Sequence, residues 1–331
     1  MGLVKGNRIA AFAVFCAALT LFTIPTAAQE EPAQPPPHTT GWPGLGTGTT
    51  AQETMESLAR APELRRDISA KELLRERRRL DQALGALRPG TPGTVDAYVV
   101  AVALDSDPVF AREAREAGKV LSRRYNAQGR TVVLAGPDGR NSALPQGSIR
   151  SLVLALAHIA EVMDETEDVL VLYSTSHGAP QGLAYHYGDT GFGILSPAKL
   201  RDVLLELDIR RRILILSACY SGIFVDPLSS PDTAILTASY ANRQSFGCEA
   251  ENDWTFFGDA LINRALRKPV DLQTASAEAH SDIVRWESSK RLSASLPQTV
   301  VGVGVSHWLP ALEAGIPATA TEPVGRPSVG E

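Results

Sequence analysis

The apolar positions of this chain fall into short unbroken runs separated by segments of helical period. Residues 98–104, 131–134, 169–176, 213–218 and 234–237 are rich in Val, Ile and Leu without polar alternation. That is the pattern of strands buried on both faces. Between them, 108–125 and 148–163 place apolar residues at helical spacing, as do Leu200, Val203, Leu204 and Leu207 after Ser196-Pro197. Asp107-Pro108 likewise has the form of an N-cap followed by proline at the first helical position. Strand, helix and strand in alternation predict parallel neighbours joined by crossover helices, an α/β fold with a mostly parallel sheet. Helices near 254–267 and 271–290 and a last strand at 299–303 complete the expected elements.

Two of the runs end in a reactive side chain. Val169 to Ser176 leads into His177-Gly178, and Ile213 to Ala218 leads into Cys219-Tyr220-Ser221-Gly222. Both residues are therefore expected at the carboxyl ends of buried strands, the edge where open α/β sheets place their sites. An imidazole and a thiol on one rim suggest a cysteine nucleophile with its base.

The rest of the chain divides by composition. Lys5 and Arg8, an apolar stretch over 9–24 and small residues at Thr26-Ala27-Ala28 predict a signal peptide at 1–28. A retained anchor is the alternative, because the run is near the lower limit for spanning a bilayer. Export to a periplasm or the medium follows from cleavage, with no stable membrane insertion afterwards. Residues 29–50, rich in Pro, Gly and Thr, predict a disordered linker in which His38 and Trp42 have no role. Residues 51–92 predict a helical extension, 93–308 the main domain, and 309–331 a flexible tail.

Among 331 residues, 44% are hydrophobic and the net charge is −5, which fits a globular protein and gives nucleic-acid binding no support. Of the three cysteines, Cys16 leaves with the signal peptide. Cys219 and Cys248 remain in an oxidising compartment, where a structural bridge would stabilise by roughly 3 kcal/mol but would block the thiol. Cys248 keeps three readings: a residue near the cleft, a resting redox partner for Cys219, or a buried thiol. No His, Cys or acidic group shows metal-ligand spacing, so no metal or other cofactor is expected. His186 and Asp189 fall in a Gly-rich stretch expected as a loop, and His158, His280 and His307 are assigned structural roles.

A thiolate next to an imidazole can attack a peptide carbonyl, and the imidazolium can then protonate the leaving amine. Gly178 and Cys219 are candidate oxyanion donors through their N–H groups. Asp105 follows the first strand on the same rim and is a candidate for the pocket that receives the residue before the scissile bond.

The blocks Ser176-His177-Gly178 and Ser217-Ala218-Cys219-Tyr220-Ser221-Gly222 resemble the two catalytic blocks of the legumain (C13) cysteine peptidases, of the caspase-like clan. Thr237-Ala238-Ser239-Tyr240 through Ser245-Phe246-Gly247-Cys248 resembles the segment after the catalytic cysteine. Asn252-Asp253-Trp254-Thr255-Phe256-Phe257-Gly258 resembles the segment that follows in bacterial members. The resemblance covers roughly 95–305. It implies a caspase-like α/β/α sandwich, with Cys219 as nucleophile, His177 as base and acid, and peptide or protein substrates. Ser217 stands where the family has a glutamate or similar residue. It and Ser239 are candidate substrate contacts, and asparagine specificity does not transfer. A catalytically silent binding domain and a transamidase of the same family are the alternatives to hydrolysis.

Overall fold

The predicted alternation becomes a six-stranded sheet in the computed structural model, which describes residues 1–2, 35–137 and 143–329. The expected signal peptide, apart from its first two residues, lies outside the described residues. The first elements are α1 (Ala51–Ala59), β1 (Glu63–Arg65), α2 (Ala70–Gly85), β2 (Ala97–Ala103), α3 (Pro108–Arg124) and β3 (Thr131–Leu134). Next come α4 (Ile149–Val162), β4 (Val169–Thr175), β5 (Gly178–Ala179), β6 (Gly182–Tyr187) and β7 (Gly191–Leu195). The chain continues through α5 (Pro197–Glu206), β8 (Arg212–Ser217), α6 (Val225–Leu228), β9 (Thr233–Thr237), α7 (Leu272–Lys290), β10 (Gln298–Val301) and α8 (Leu309–Glu313).

The central sheet has the order β10-β9-β8-β4-β2-β3, parallel throughout except for β10 at one edge. Successive residues of each strand point to opposite faces. Val99, Val171, Tyr173 and Ile215 face α3, α7 and the π-helical turn Gly258–Arg264. Val100, Leu172, Leu214 and Leu216 face α2, α4, α5 and α6. The result is the expected three-layer α/β/α sandwich. Both faces of the strands are dry, which is why the runs carry no polar alternation. Ser148, Ser196 and Asp271 cap α4, α5 and α7 by accepting the N–H of Ser151, Lys199 and Thr274.

One buried side chain ties these layers together beneath the rim. Glu113 of α3 is fully buried. Its Oε1 accepts the hydroxyls of Tyr173, Thr175 (2.8 Å) and Ser217 (3.0 Å), and its Oε2 accepts the Thr255 N–H at 2.8 Å. The carboxyl group thus joins the ends of β4 and β8 to the segment before the π-helical turn.

Three expectations need correction. Residues 35–50 are not a free linker: they lie over the rim of the sheet, held by contacts described below. Residues 309–329 are not a loose tail. Val324 O accepts the Trp254 indole N–H at 2.8 Å, Ser328 N donates to Asp259 at 2.8 Å, and Glu313 pairs with Arg124 at 3.0 Å. Low periodicity in both segments hid partners that lie far away in sequence. The stretch after His177 is not a loop either. β5, β6, β7 and β1 form a second, antiparallel sheet, and His186 is part of β6. Its glycines allow close approach: a Cβ on Gly191 would lie 2.3 Å from the Tyr185 hydroxyl.

Candidate active site

Strand register alone lines up the rim. Ala103 of β2 pairs with Thr175 of β4, and Thr175 pairs with Ser217 of β8. Asp105, His177 and Cys219 each lie two residues beyond that row, just past the carboxyl ends of three adjacent parallel strands. Ser176 N donates to Ser217 O at 3.2 Å, which carries the pairing one step further. The glycine after His177 is demanded by what it touches. A Cβ at Gly178 would lie 1.9 Å from the Cys219 carbonyl oxygen, so the two segments meet main chain to main chain. Ala184 N donates to His177 O at 2.9 Å. That puts Gly178 and Leu183 in a non-hydrogen-bonded pair, and the Gly178 N–H turns away from β6.

His177 has two polar partners. Its Nε2 lies 3.2 Å from Asp107 Oδ2, and the nearby Cys248 sulfur favours the protonated ring. The Phe110 ring packs against it edge-on, at 4.9 Å between centroids. Burial disfavours the imidazolium, but the bond to Asp107, the Cys248 sulfur and the charge of Asp105 outweigh it, and the pKa is raised to about 10. The same bond holds the Asp107 carboxyl below the usual carboxylate range. Asp107 does occupy the N-cap position of α3, yet its side chain makes no capping bond. It orients the histidine instead, a role that the N-cap reading concealed.

Cys219 opens a sharp turn. Tyr220 adopts left-handed backbone at φ 59°, and the 3₁₀ turn Ser221–Phe224 follows. Ser245 N donates to Cys219 Sγ at 3.3 Å. Ser239, expected as a substrate contact, is fully buried and holds this turn. It donates to Ala218 O and accepts from Ser221 N, each at 3.2 Å. Ser217 points its hydroxyl into the Glu113 network, not toward the rim. Cys219 and Cys248 are both free thiols. No hydrogen bond joins His177 to Cys219; the ring is turned to Asp107 and Cys248.

The 35–50 segment crosses this rim. Ser106 Oγ donates to Pro36 O at 2.9 Å and lies 3.0 Å from His38 Nε2. The Asp189 carboxylate accepts the Thr39 hydroxyl and the N–H groups of Thr39 and Thr40, which hold its pKa far below normal. His38 stacks on His186 with centroids 3.5 Å apart, and Trp42 meets His186 and Phe192 edge-on. Burial and the neighbouring His38 lower the His186 pKa to about 4, so that ring is neutral.

Behind this strap a cleft of about 550 Å³ is lined by Asp105, His177, Gly178, Ala184, Ile194 and Trp42 among others. Burial raises the Asp105 pKa to about 6 despite the His177 charge and a 2.8 Å bond from Asp107 N. Among the described residues, His38, Asp105 and His186 form one group of metal-ligand type, and Asp105, Asp107 and His177 another. In the first, the imidazoles are stacked within 20° of parallel, whereas a bound ion lies in the plane of each ring that ligates it. In the second, Asp107 and His177 already bond each other.

Residues 151–302 match the Peptidase C13 family. That segment is similar to the family. The matched segment contains both His177 and Cys219, and it begins after β2, so Asp105, Asp107 and the strap lie outside it. No curated protein matches the chain. Among solved structures, caspase-1 from Spodoptera frugiperda is similar at 15% identity and a TM-score of 0.41, over 63% of this chain and 88% of that one. The family supports a function of the cysteine-peptidase type.

Proposed function

We propose that the chain is an exported cysteine endopeptidase that works through His177 and Cys219. The observation that carries this reading is the register-matched delivery of both residues to one rim, with the Gly178 backbone against the Cys219 carbonyl. Cys219 as thiolate attacks the carbonyl carbon of the peptide, and the N–H groups of Gly178 and Cys219 receive the oxyanion. His177, an imidazolium at neutral pH, gives its proton to the leaving amine as the C–N bond breaks. Left neutral, the ring then takes a proton from water, whose oxygen attacks the thioester; the C–S bond breaks, freeing the acid and restoring the Cys219 thiolate and the imidazolium. The turn from Cys248 to Cys219 that this requires is a ring reorientation; catalytic hydrogen bonds commonly tighten only once substrate is bound. Export rests on the N-terminal sequence, and the substrates are peptides or proteins.

The test is covalent labelling with peptidyl electrophiles alongside turnover of a peptide library. Cys219 is expected to take the label, and Cys219→Ala to lose both label and turnover while unfolding within about 1 kcal/mol of the parent. His177→Ala should slow labelling by about 100-fold or more. Turnover retained by Cys219→Ala refutes the assignment.

A further inference from the structure

We propose that Asp105 selects substrates with a lysine or arginine before the scissile bond, and that His38 of the strap occupies the place of that cationic side chain. This rests on the peptidase reading and names the substrate class of the same site.

Asp105 forms part of a cleft that also includes His177 and Gly178. A substrate carbonyl placed at the Gly178 N–H therefore sends its own side chain into this cleft. Only 1% of the Asp105 side chain is exposed. Its Oδ1 accepts the Asp107 N–H, but the buried Oδ2 has no hydrogen-bond partner. An unsatisfied buried carboxylate oxygen is costly, and it is relieved by a donor that carries positive charge. Among the described residues no lysine or arginine lines the cleft, whose remaining walls include Leu45, Leu58, Ala179, Ala184 and Ile194. Apolar walls ending in an anion suit a long aliphatic stem with a cationic head.

The strap already fills this role with the one basic ring it has. His38 Nε2 lies 3.5 Å from Asp105 Oδ1, and its Nδ1 lies 3.8 Å from Asp107 Oδ1. Its ring is stacked on the neutral His186, which forms the other side of the slot. His38 is shorter than lysine or arginine and stops short of Oδ2, so a longer cation would make the bond it leaves open. Substrate entry then requires His38 to withdraw.

The experiment uses the full chain and a set of internally quenched peptides that differ only before the scissile bond: Lys, Arg, Asn, Leu or Glu. Lysine and arginine peptides are expected to exceed the leucine peptide by about 100-fold in kcat/KM. Asp105→Asn should collapse that ratio toward unity, and His38→Ala should lower KM for the basic peptides. If Asp105→Asn is inactive on every peptide, Asp105→Glu is expected to restore cleavage of the basic ones, and its failure to do so overturns the proposal. Preferential cleavage after Asn, Leu or Glu, or an unchanged ratio in Asp105→Asn, overturns this inference alone. A parent chain that cleaves none of the peptides and leaves Cys219 unlabelled overturns the peptidase reading and this inference with it.

Discussion

Replacing Asp107 by Asn removes the charge that holds the His177 proton. Unit charges separated by the observed 3.2 Å interact by about 5 kcal/mol at an effective dielectric of about 20. The imidazole is 41% exposed and the carboxylate 28%, and solvent screening leaves roughly 2 kcal/mol of this. That corresponds to about 1.5 pKa units. The His177 pKa should therefore fall from about 10 to roughly 8.5. The sign for stability follows. A ring whose folded pKa exceeds its ordinary value of 6.5 stabilises the fold fully below that pH, and the contribution is lost as pH rises through about 10. Parent and variant should thus converge in stability above that pH. The assay is NMR titration of the imidazole resonance that His177→Ala removes, with the alkaline limb of the kcat/KM profile followed in parallel. A resonance that moves by less than about 0.5 unit, or a rate that falls equally at every pH, refutes the role given to Asp107.

Gly178→Ala places a Cβ against the Cys219 carbonyl, where only main chain can give way, so kcat/KM should fall by about 100-fold; an undiminished rate would contradict the contact. Glu113→Ala strands three hydroxyls and one N–H in the core, and urea unfolding should show a loss of about 3 kcal/mol, with less than about 1 kcal/mol arguing against the network. Alkylation of the full chain without reductant, read by mass, should find Cys219 and Cys248 both modified; a bridged peptide would contradict the free-thiol arrangement.

The sheet was legible because its strands are buried on both faces, so each appears as an unbroken apolar run, and the two reactive residues lie where those runs stop. Asp107 was harder to read. Asp-Pro before a helix is a complete explanation at the local level, and only the parallel pairing of β2 with β4 brings its carboxylate to His177. His38 and Trp42 were hidden for a related reason. Proline and glycine remove the periodicity from which an element is recognised, and the partners of this segment, Ser106, His186 and Asp189, lie far along the chain. Ser217 shows the converse: its position before the cysteine suggested substrate, while the alternation of β8 turns its hydroxyl inward to Glu113. Period-two alternation was available in the sequence and would have predicted that inward turn.

The row of Asp105, His177 and Cys219 makes the sheet a ruler. Neighbouring strands lie about 4.8 Å apart, so the register of β2, β4 and β8 sets the spacing from which the segments carrying Asp105, His177 and Cys219 leave the sheet. The histidine occupies the middle graduation, within reach of groups on either side. A different side chain at any of the three marks would be presented at the same place. The chemistry of the rim is in that sense interchangeable, while its scale is fixed by the strands.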